Sequence, residues 1–487
     1  MPRAELPFAD GFYVSEAGPL AAKRCVNMRP VVPQTDAASG QALLHTEGTT
    51  ELGRASVGFS RGGIVFSDGV AYRVIGTSLY SVNQFGVLTD RGTVAGTDDV
   101  SMDSNGINIC IVNPTGDTYF YTPVTNIFET EASASFQSFG QATSVTFKSG
   151  FYVFTTDVSF FSGSDKSSND GKSFNSLDFL DADINPDIII KGFNDHNQLY
   201  IGGTETIQVY RAIITTGFPF ELIPGALIPK GFAARGAVTN FDSSFIFLGG
   251  GKDERPGIYK AIGSNFVKLS TSAIETQIHK NTEADIAAAR AFTYAADGNH
   301  YAVFTVGDNT FVYDQTASKL AGIPRWHERQ TGITNGDGFK CWRAVHGLKV
   351  NGKIQVGDDR SGLIGELDSS VYKEYGELIE KMWSTKPFVN NGDKIFSNEL
   401  ELFMETGVGN ADDNDPQIRM DYSDNGSKIF TPEISKTMGA IGAYKTRVKW
   451  KRLGAIPLTR VLRWKTTAPN KINVFSLFAN AKGGRSG

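Results

Sequence analysis

Seven times between Gly63 and Lys373 the chain repeats one phrase, two short β-rich runs joined by a Gly, Asp or Asn turn. The copies begin near Ile64, Ile107, Phe151, Gln198, Phe245, His300 and Leu348, about 43 to 55 residues apart, the spacing of propeller blades. GIVFSDGVAYRVIGTSLYSV (63–82) is the clearest copy, and GNHYAVFTVGDNTFVYD (298–314) is close behind. Alternating Val, Ile, Tyr and Phe turn one face of each strand inward, and SDG, GDN and NGK supply the turns. A single such hairpin cannot bury its apolar face, so the pattern predicts a radial stack of small sheets with six or seven blades.

The period divides the chain. Residues 1–54 contain Pro and polar residues and no hairpin pattern, and they read as an extended arm with apolar anchors (Phe12, Tyr13, Val26, Met28, Val31, Val32) for docking on its own domain or on a neighbour. Residues 55–376 are the propeller. A polar stretch at 162–187 interrupts it as a long loop, and SAIETQIHKNTEADIAAARAFTYA (272–295) reads as helical. There Ile274, Ile278, Ile286 and Ala289 fall at helical spacing, and Asn281-Thr282 can end one short helix and cap the next. From 377 to 480 the period is gone, and five strictly alternating segments suit a small antiparallel β-sandwich. Residues 481–487 read as a loose, Gly-rich tail. The fold class is therefore all-β.

Composition excludes several functions. A net charge of -5 gives no whole-molecule attraction to nucleic acid. Cys25, Cys110 and Cys341 are far apart, so neither a disulfide framework nor a CxxC metal site is expected, and a reducing compartment of synthesis is. No apolar run approaches the length that spans a bilayer, and the start has no export signal, so no membrane insertion is expected. The six His form no paired ligand spacing; GxGxxG, GxxxxGK[ST] and GxSxG are absent, and no cofactor is implied.

Three weaker patterns remain. Asp181, Asp183, Asn185 and Asp187 have the oxygen spacing of a calcium loop, but Pro186 stands where the turn glycine should be and Gly192 replaces the closing Glu, which favours a solvated loop. Asp170-Gly171-Lys172-Ser173-Phe174 and Ser423-Asp424-Asn425-Gly426-Ser427 look like the Asp-box turns of sialidase-type propellers, which raises a glycan-binding or glycan-hydrolysing protein as the alternative function. A hydrolase also needs two paired carboxylates, and no pair stands out locally. Finally, Lys445, Arg447, Lys449, Lys451, Arg452, Arg460, Arg463 and Lys465 occur without an acid among them. In RVKWKRL the cations share the outward face of a strand while Trp450 turns inward. Edge-strand protection, docking to an acidic protein partner and contact with DNA phosphates each explain such a strand. The candidate contact residues are Arg447, Lys449, Lys451, Arg452, Arg460 and Arg463.

Several phrases in order resemble a known family, the hub or nozzle proteins of short-tailed (podovirus) phages, also called packaged-DNA stabilization proteins. CVNMRP (25–30) is similar to an early VN-x-x-P element, and RASVGFSRGGIVFSDGVAYRVIGTSLYSV (54–82) to a first blade. SAIETQI is similar to the helix after a central blade, and RMDYSDNGSKIF with MGAIGAYKTRVKWKRLGAI to the closing passage. Lys428-Ile429-Phe430 departs from the usual end of that turn. The resemblance implies a non-enzymatic virion protein, made in the host cytoplasm and carrying no catalytic residues. It implies a homo-hexameric ring below the portal and tail adaptor, which bears tail fibre, spike or needle proteins. Such a ring retains packaged DNA and forms the channel for its ejection, with transient contact to genomic DNA.

Overall fold

In the computed structural model every hairpin phrase becomes part of its own sheet. The structure describes residues 3–8, 11–15, 21–33, 35, 37, 39–163, 170–181, 187–213, 218–333, 341–389 and 394–483. Among them, seven antiparallel sheets follow one another at 60–93, 101–130, 144–181, 189–228, 231–268, 290–328 and 344–368, here blades 1 to 7. The innermost strand of blade 7, Ala344–Val350, lies beside that of blade 1, Ser60–Val65, so the ring closes.

The cores lie between blades. Tyr72, Val74 and Leu79 of blade 1 pack on Ile109, Ile111 and Tyr121 of blade 2, and Cys110 and Phe120 of blade 2 pack on Val145 and Phe154 of blade 3. The series continues around the ring to Val350 and Ile364 of blade 7 against Ala71 and Ile75 of blade 1. Each sheet thus hides one apolar face on each neighbour, which a lone hairpin cannot do.

Turn chemistry acts as the sequence suggests. At Asp68-Gly69 the Asp68 carboxylate accepts the Val70 N–H at 2.8 Å and Gly69 takes φ 80°, a left-handed conformation that glycine adopts without strain. The helical passage forms Ser272–Ile278 and Glu283–Ala287, with Thr271 capping the first and a Thr282–Asp285 capping box opening the second. It stops sooner than its spacing implies, because Arg290–Ala296 is the inner strand of blade 6. Gln315–Ala321 is a helix that apolar spacing did not reveal, capped by Asp314 and ended by Gly322 in the left-handed region.

The first 54 residues differ most from expectation. Gly48–Arg54 is the outermost strand of blade 7, antiparallel to Leu363–Asp368, so the ring is fastened by strands from its two ends. A hairpin is also present: Met28–Val31 pairs with Ala42–His45. The segment docks on its own chain, with Phe12 packed on Phe311 and Phe8, Met28 and Leu43 in the sandwich core.

The sandwich accordingly draws on both ends of the sequence. One sheet runs in the order Val448–Lys451, Ile395–Met404, Asn473–Gly483, Ala42–His45, Met28–Val31, and Arg3–Leu6 also pairs with Asn473–Gly483. The other contains Lys381–Ser384, Thr459–Thr466, Gln417–Ser423 and Ile434–Thr437. Trp383, Trp450 and Trp464 lie buried between them.

Two loop expectations change. Phe174–Asp181, inside the proposed loop at 162–187, is the outer strand of blade 3, and residues 164–169 and 182–186 lie outside the described residues. The final strand runs through Gly483, into the expected tail, whose residues 484–487 lie outside the described residues.

Candidate interaction surfaces

The propeller and the sandwich are joined by hydrogen bonds through the VN element. Cys25–Val26 pairs in parallel with Arg325–Glu328, the outer strand of blade 6, and antiparallel with Lys381–Ser384 of the sandwich, which makes one continuous sheet. Asn27 sits at the crossing with φ 52°, a left-handed conformation that Asn tolerates better than most side chains. Its Nδ2 donates to Gln330 O at 3.0 Å and Glu380 O at 2.8 Å, and its Oδ1 accepts the Gln330 N–H at 3.1 Å. One buried amide thereby satisfies backbone groups of both units.

Charges reinforce the joint. Arg24 makes a bidentate pair with Glu328 at 3.1 and 2.7 Å. Deeper, Arg329 pairs with Glu47 at 3.1 Å, both almost wholly buried, and the guanidinium lies 3.9 Å from the Trp342 ring centroid. Tyr294 donates to the same Glu47 carboxylate, and Arg29 reaches Tyr301 and Asp297. His327 is buried alongside, and burial first, then the charges of Arg329 and Arg29, hold its pKa well below the usual histidine value. CVNMRP drew attention to this region; the pairing of Glu47 with Arg329 across the chain left no local signal.

The basic residues divide between the two sheets of the sandwich, Lys449 and Lys451 on one and Arg460, Arg463 and Lys465 on the other, and acids on adjacent strands answer most of them. Val448–Lys451 is an edge strand beside Ile395–Met404. Arg447 pairs with Glu401 at 2.6 Å and Lys449 with Glu399 at 2.9 Å, while Lys451 is 3.9 Å from Glu399. Arg460 is not a surface residue: its guanidinium is buried over the Tyr422 ring, bound to Asp424 and to the carbonyls of Leu453 and Ala455. Arg463, mostly covered, forms a bidentate pair with Asp421 over the Phe430 ring. Lys451 and Arg452 keep exposed head groups. Sequence spacing could not show this neutralisation, because each acid lies some 30 to 50 residues from its partner and is chosen by strand order.

The remaining patterns serve the fold. Asp170 accepts the Lys172 N–H, and its carbonyl takes the amides of Asn105 and Asn108. Ser423 and Asn425 bind the turn backbone at Ser427 and Ile429. Both Asp-box-like sequences are thus turns tied to neighbouring strands, the first through Asn105 and Asn108 and the second through the Arg460–Asp424 pair. Asp187 accepts the N–H groups of Thr204, Glu205 and Thr206; Asp183 and Asn185 lie outside the described residues. Among the described residues no group of three or more His, Cys, Asp or Glu is placed to hold a metal ion, and no helix is long and apolar enough to cross a membrane.

A cavity of about 850 Å³ opens on the propeller axis. In its lining Arg290, at the start of blade 6, pairs with Asp99, in the link to blade 2, at 2.5 and 3.0 Å. His346 of blade 7 lies 3.8 Å from the same carboxylate. Burial pushes the Asp99 pKa up, but His346 and Arg290 outweigh it and hold the carboxyl well below the usual range.

Residues 4–372 match the family described as "Bacteriophage P22 Gp10, beta-propeller" and residues 381–482 the one described as "Bacteriophage P22 Gp10, beta-sandwich". The chain belongs to the P22 Gp10 family. The tail hub protein gp10 of Salmonella phage P22 is 23% identical over 396 residues, covering 79% of each protein. P22 Gp10 family membership carries a structural role in a phage tail hub, places the protein in the virion tail and agrees with the two-unit architecture. The similar solved structures are far more distant. The extracellular domain of a putative one component system, BT4673 from B. thetaiotaomicron, has 10% identity and TM-score 0.42 over 74% of this chain and 44% of that one. The N-terminal domain of Nup159 has 10% identity and TM-score 0.38 over 69% and 97%. Neither adds to the functional argument.

Proposed function

We propose that the protein is one subunit of a homo-hexameric ring in the hub or nozzle of a short phage tail. There it joins the portal and adaptor to distal fibre, spike or needle proteins, retains packaged DNA and forms the channel for its ejection. The observation that carries this reading is the match of both units, in order, to the P22 Gp10 family. The continuous sheet through Cys25–Val26 supports it, because a load-bearing ring needs subunits whose two halves do not swing.

The axial cavity of the propeller is not the DNA path in this proposal. The Arg290–Asp99 pair lies in its lining, and the cavity's volume is only about 850 Å³, whereas the major groove of a duplex alone is about 12 Å wide. DNA would run between copies of the chain, in the centre of the ring. A closed ring needs two different surfaces per subunit, and the basic strand is our candidate for one of them. The set Arg447, Lys449, Lys451, Arg452, Arg460 and Arg463 narrows for that purpose to Lys451 and Arg452, since the likewise exposed Arg447 is held by Glu401. Synthesis in the host cytoplasm completes the proposal.

Negative-stain imaging of the purified protein, alone and with a portal–adaptor complex, tests it. Six-fold rings that co-sediment with the adaptor are expected. A protein that stays monomeric, does not co-sediment and is missing from virions defeats the proposal.

A further inference from the structure

The axial cavity is lined by two cations that make no direct ion pair with any described residue. Lys191, on the inner strand of blade 4, makes no hydrogen bond or ion pair with any described residue, and Arg235, entering blade 5, has one hydrogen bond, Nε to the Ile190 carbonyl at 3.3 Å. By contrast, the third basic residue there, Arg290, is taken up by Asp99. Burial first, then repulsion from Arg235, brings the Lys191 pKa down to about 8 against the attraction of Asp103. The nearest acid to Lys191, Asp103, accepts the N–H groups of Phe147 and Ser104 and makes no direct pair with it, so an oxyanion held directly by the two cations relieves their desolvation and mutual repulsion.

The opposite wall supplies acceptors. Asp98 is exposed to the cavity, with one carboxylate oxygen bound by the Thr115 hydroxyl at 2.5 Å, so it has lone pairs left for a ligand hydroxyl. Phe193 lies in the lining, with Lys191 Nζ 5.9 Å from its ring centroid, and offers a flat apolar face beside the cations. At about 850 Å³ the space is much larger than a bare inorganic anion and falls in the range of small-molecule pockets.

We infer that the propeller cavity is a binding site for a small polyhydroxylated anion, with Lys191 and Arg235 holding its carboxylate or phosphate, Asp98 accepting from its hydroxyls and Phe193 lying against its body. A hexuronate and a hexose phosphate share that chemistry. The site is independent of ring formation.

Isothermal titration of the full-length protein with glucuronate, glucose 6-phosphate, glucose and inorganic phosphate tests the inference and separates the carboxylate from the phosphate ligand. At least one of the two sugar anions should bind, glucose should not, and inorganic phosphate should bind more weakly than the sugar anion. Lys191→Met and Arg235→Gln, each with an unchanged melting temperature, should weaken binding by about tenfold to a hundredfold, the worth of one charge-assisted hydrogen bond. Asp98→Asn should weaken the sugar anion relative to inorganic phosphate, which offers Asp98 no sugar hydroxyl and gains from the lost negative charge. Failure of both sugar anions to bind at millimolar concentration overturns the site. So does binding that neither cation substitution alters, or glucose binding as tightly as the anions.

Discussion

The propeller and the sandwich are both antiparallel β-structures, yet they are specified in opposite ways. Each blade is almost continuous in sequence, and its core is shared with the next blade along the chain, as in Tyr72 against Ile111. The sandwich has strands from 3–6, 25–31 and 42–45 interleaved with strands from 381–483, and its core puts Phe8, Met28 and Leu43 beside Trp383 and Trp464. Local repetition makes the propeller tolerant and readable; long-range pairing makes the sandwich depend on the first 46 residues and costs more loop entropy to form. The dependence also couples the two units, since the segment that completes the sandwich must cross blade 6 to reach it.

The largest expected effect breaks that dependence. Removing residues 1–46 should abolish the cooperative unfolding of the sandwich in calorimetry while leaving Gly48–Arg54 to close the propeller, whose own transition should persist; a sandwich that still melts cooperatively would mean that its strands are dispensable. Next comes the joint between the units. Glu47→Gln should cost about 3–5 kcal/mol in chemical denaturation, because Arg329 is then left charged and unpaired in the interior.

A pH effect separates the two regions further. Lys381 is wholly buried in the sandwich with its Nζ on the Ala468 carbonyl at 2.9 Å, and burial lowers its pKa to about 7 from an ordinary 10.5. Between these values the unfolded chain binds more protons than the folded one. Sandwich stability should therefore rise with pH across that window and fall as pH drops towards 7, with a slope approaching about 1.4 kcal/mol per pH unit. Lys381→Met should flatten the slope, read by denaturation at a series of pH values, and the propeller transition should show no such dependence on this residue.

Smaller effects refine the comparison. Asn27→Gly keeps the left-handed backbone but strands the Gln330 and Glu380 carbonyls, and it should cost about 1–3 kcal/mol. Lys451→Gln with Arg452→Gln should change stability by no more than about 0.5 kcal/mol. If the basic strand is a ring contact, the same pair of changes should shift assembly towards monomer in sedimentation; unchanged rings would remove it from the interface.

Legibility followed range. The SDG turn at Asp68-Gly69, the Thr271 and Thr282 caps and the inward Trp450 were readable because each depends on neighbours within a few residues. Gly48–Arg54 reads as part of the arm because its partner, Leu363–Asp368, lies more than 300 residues away. Arg460 reads from sequence as part of a basic surface, and strand order gives it Asp424 as a partner. The axial cavity was invisible for the same reason: Lys191, Arg235 and Asp98 come from separate blades and meet only when the ring closes.

By itself the sequence determined the repeating hairpin, the number of its copies, the turns between strands and, through ordered phrases such as CVNMRP and RVKWKRL, the family. Tertiary structure alone decided which strand closes blade 7, which strands complete the sandwich, and which charges stay free. Alternation and turn chemistry are short-range and are written locally. The choice of partner for an edge strand or an arginine is made by packing and hydrogen bonding between distant segments, which no local pattern records.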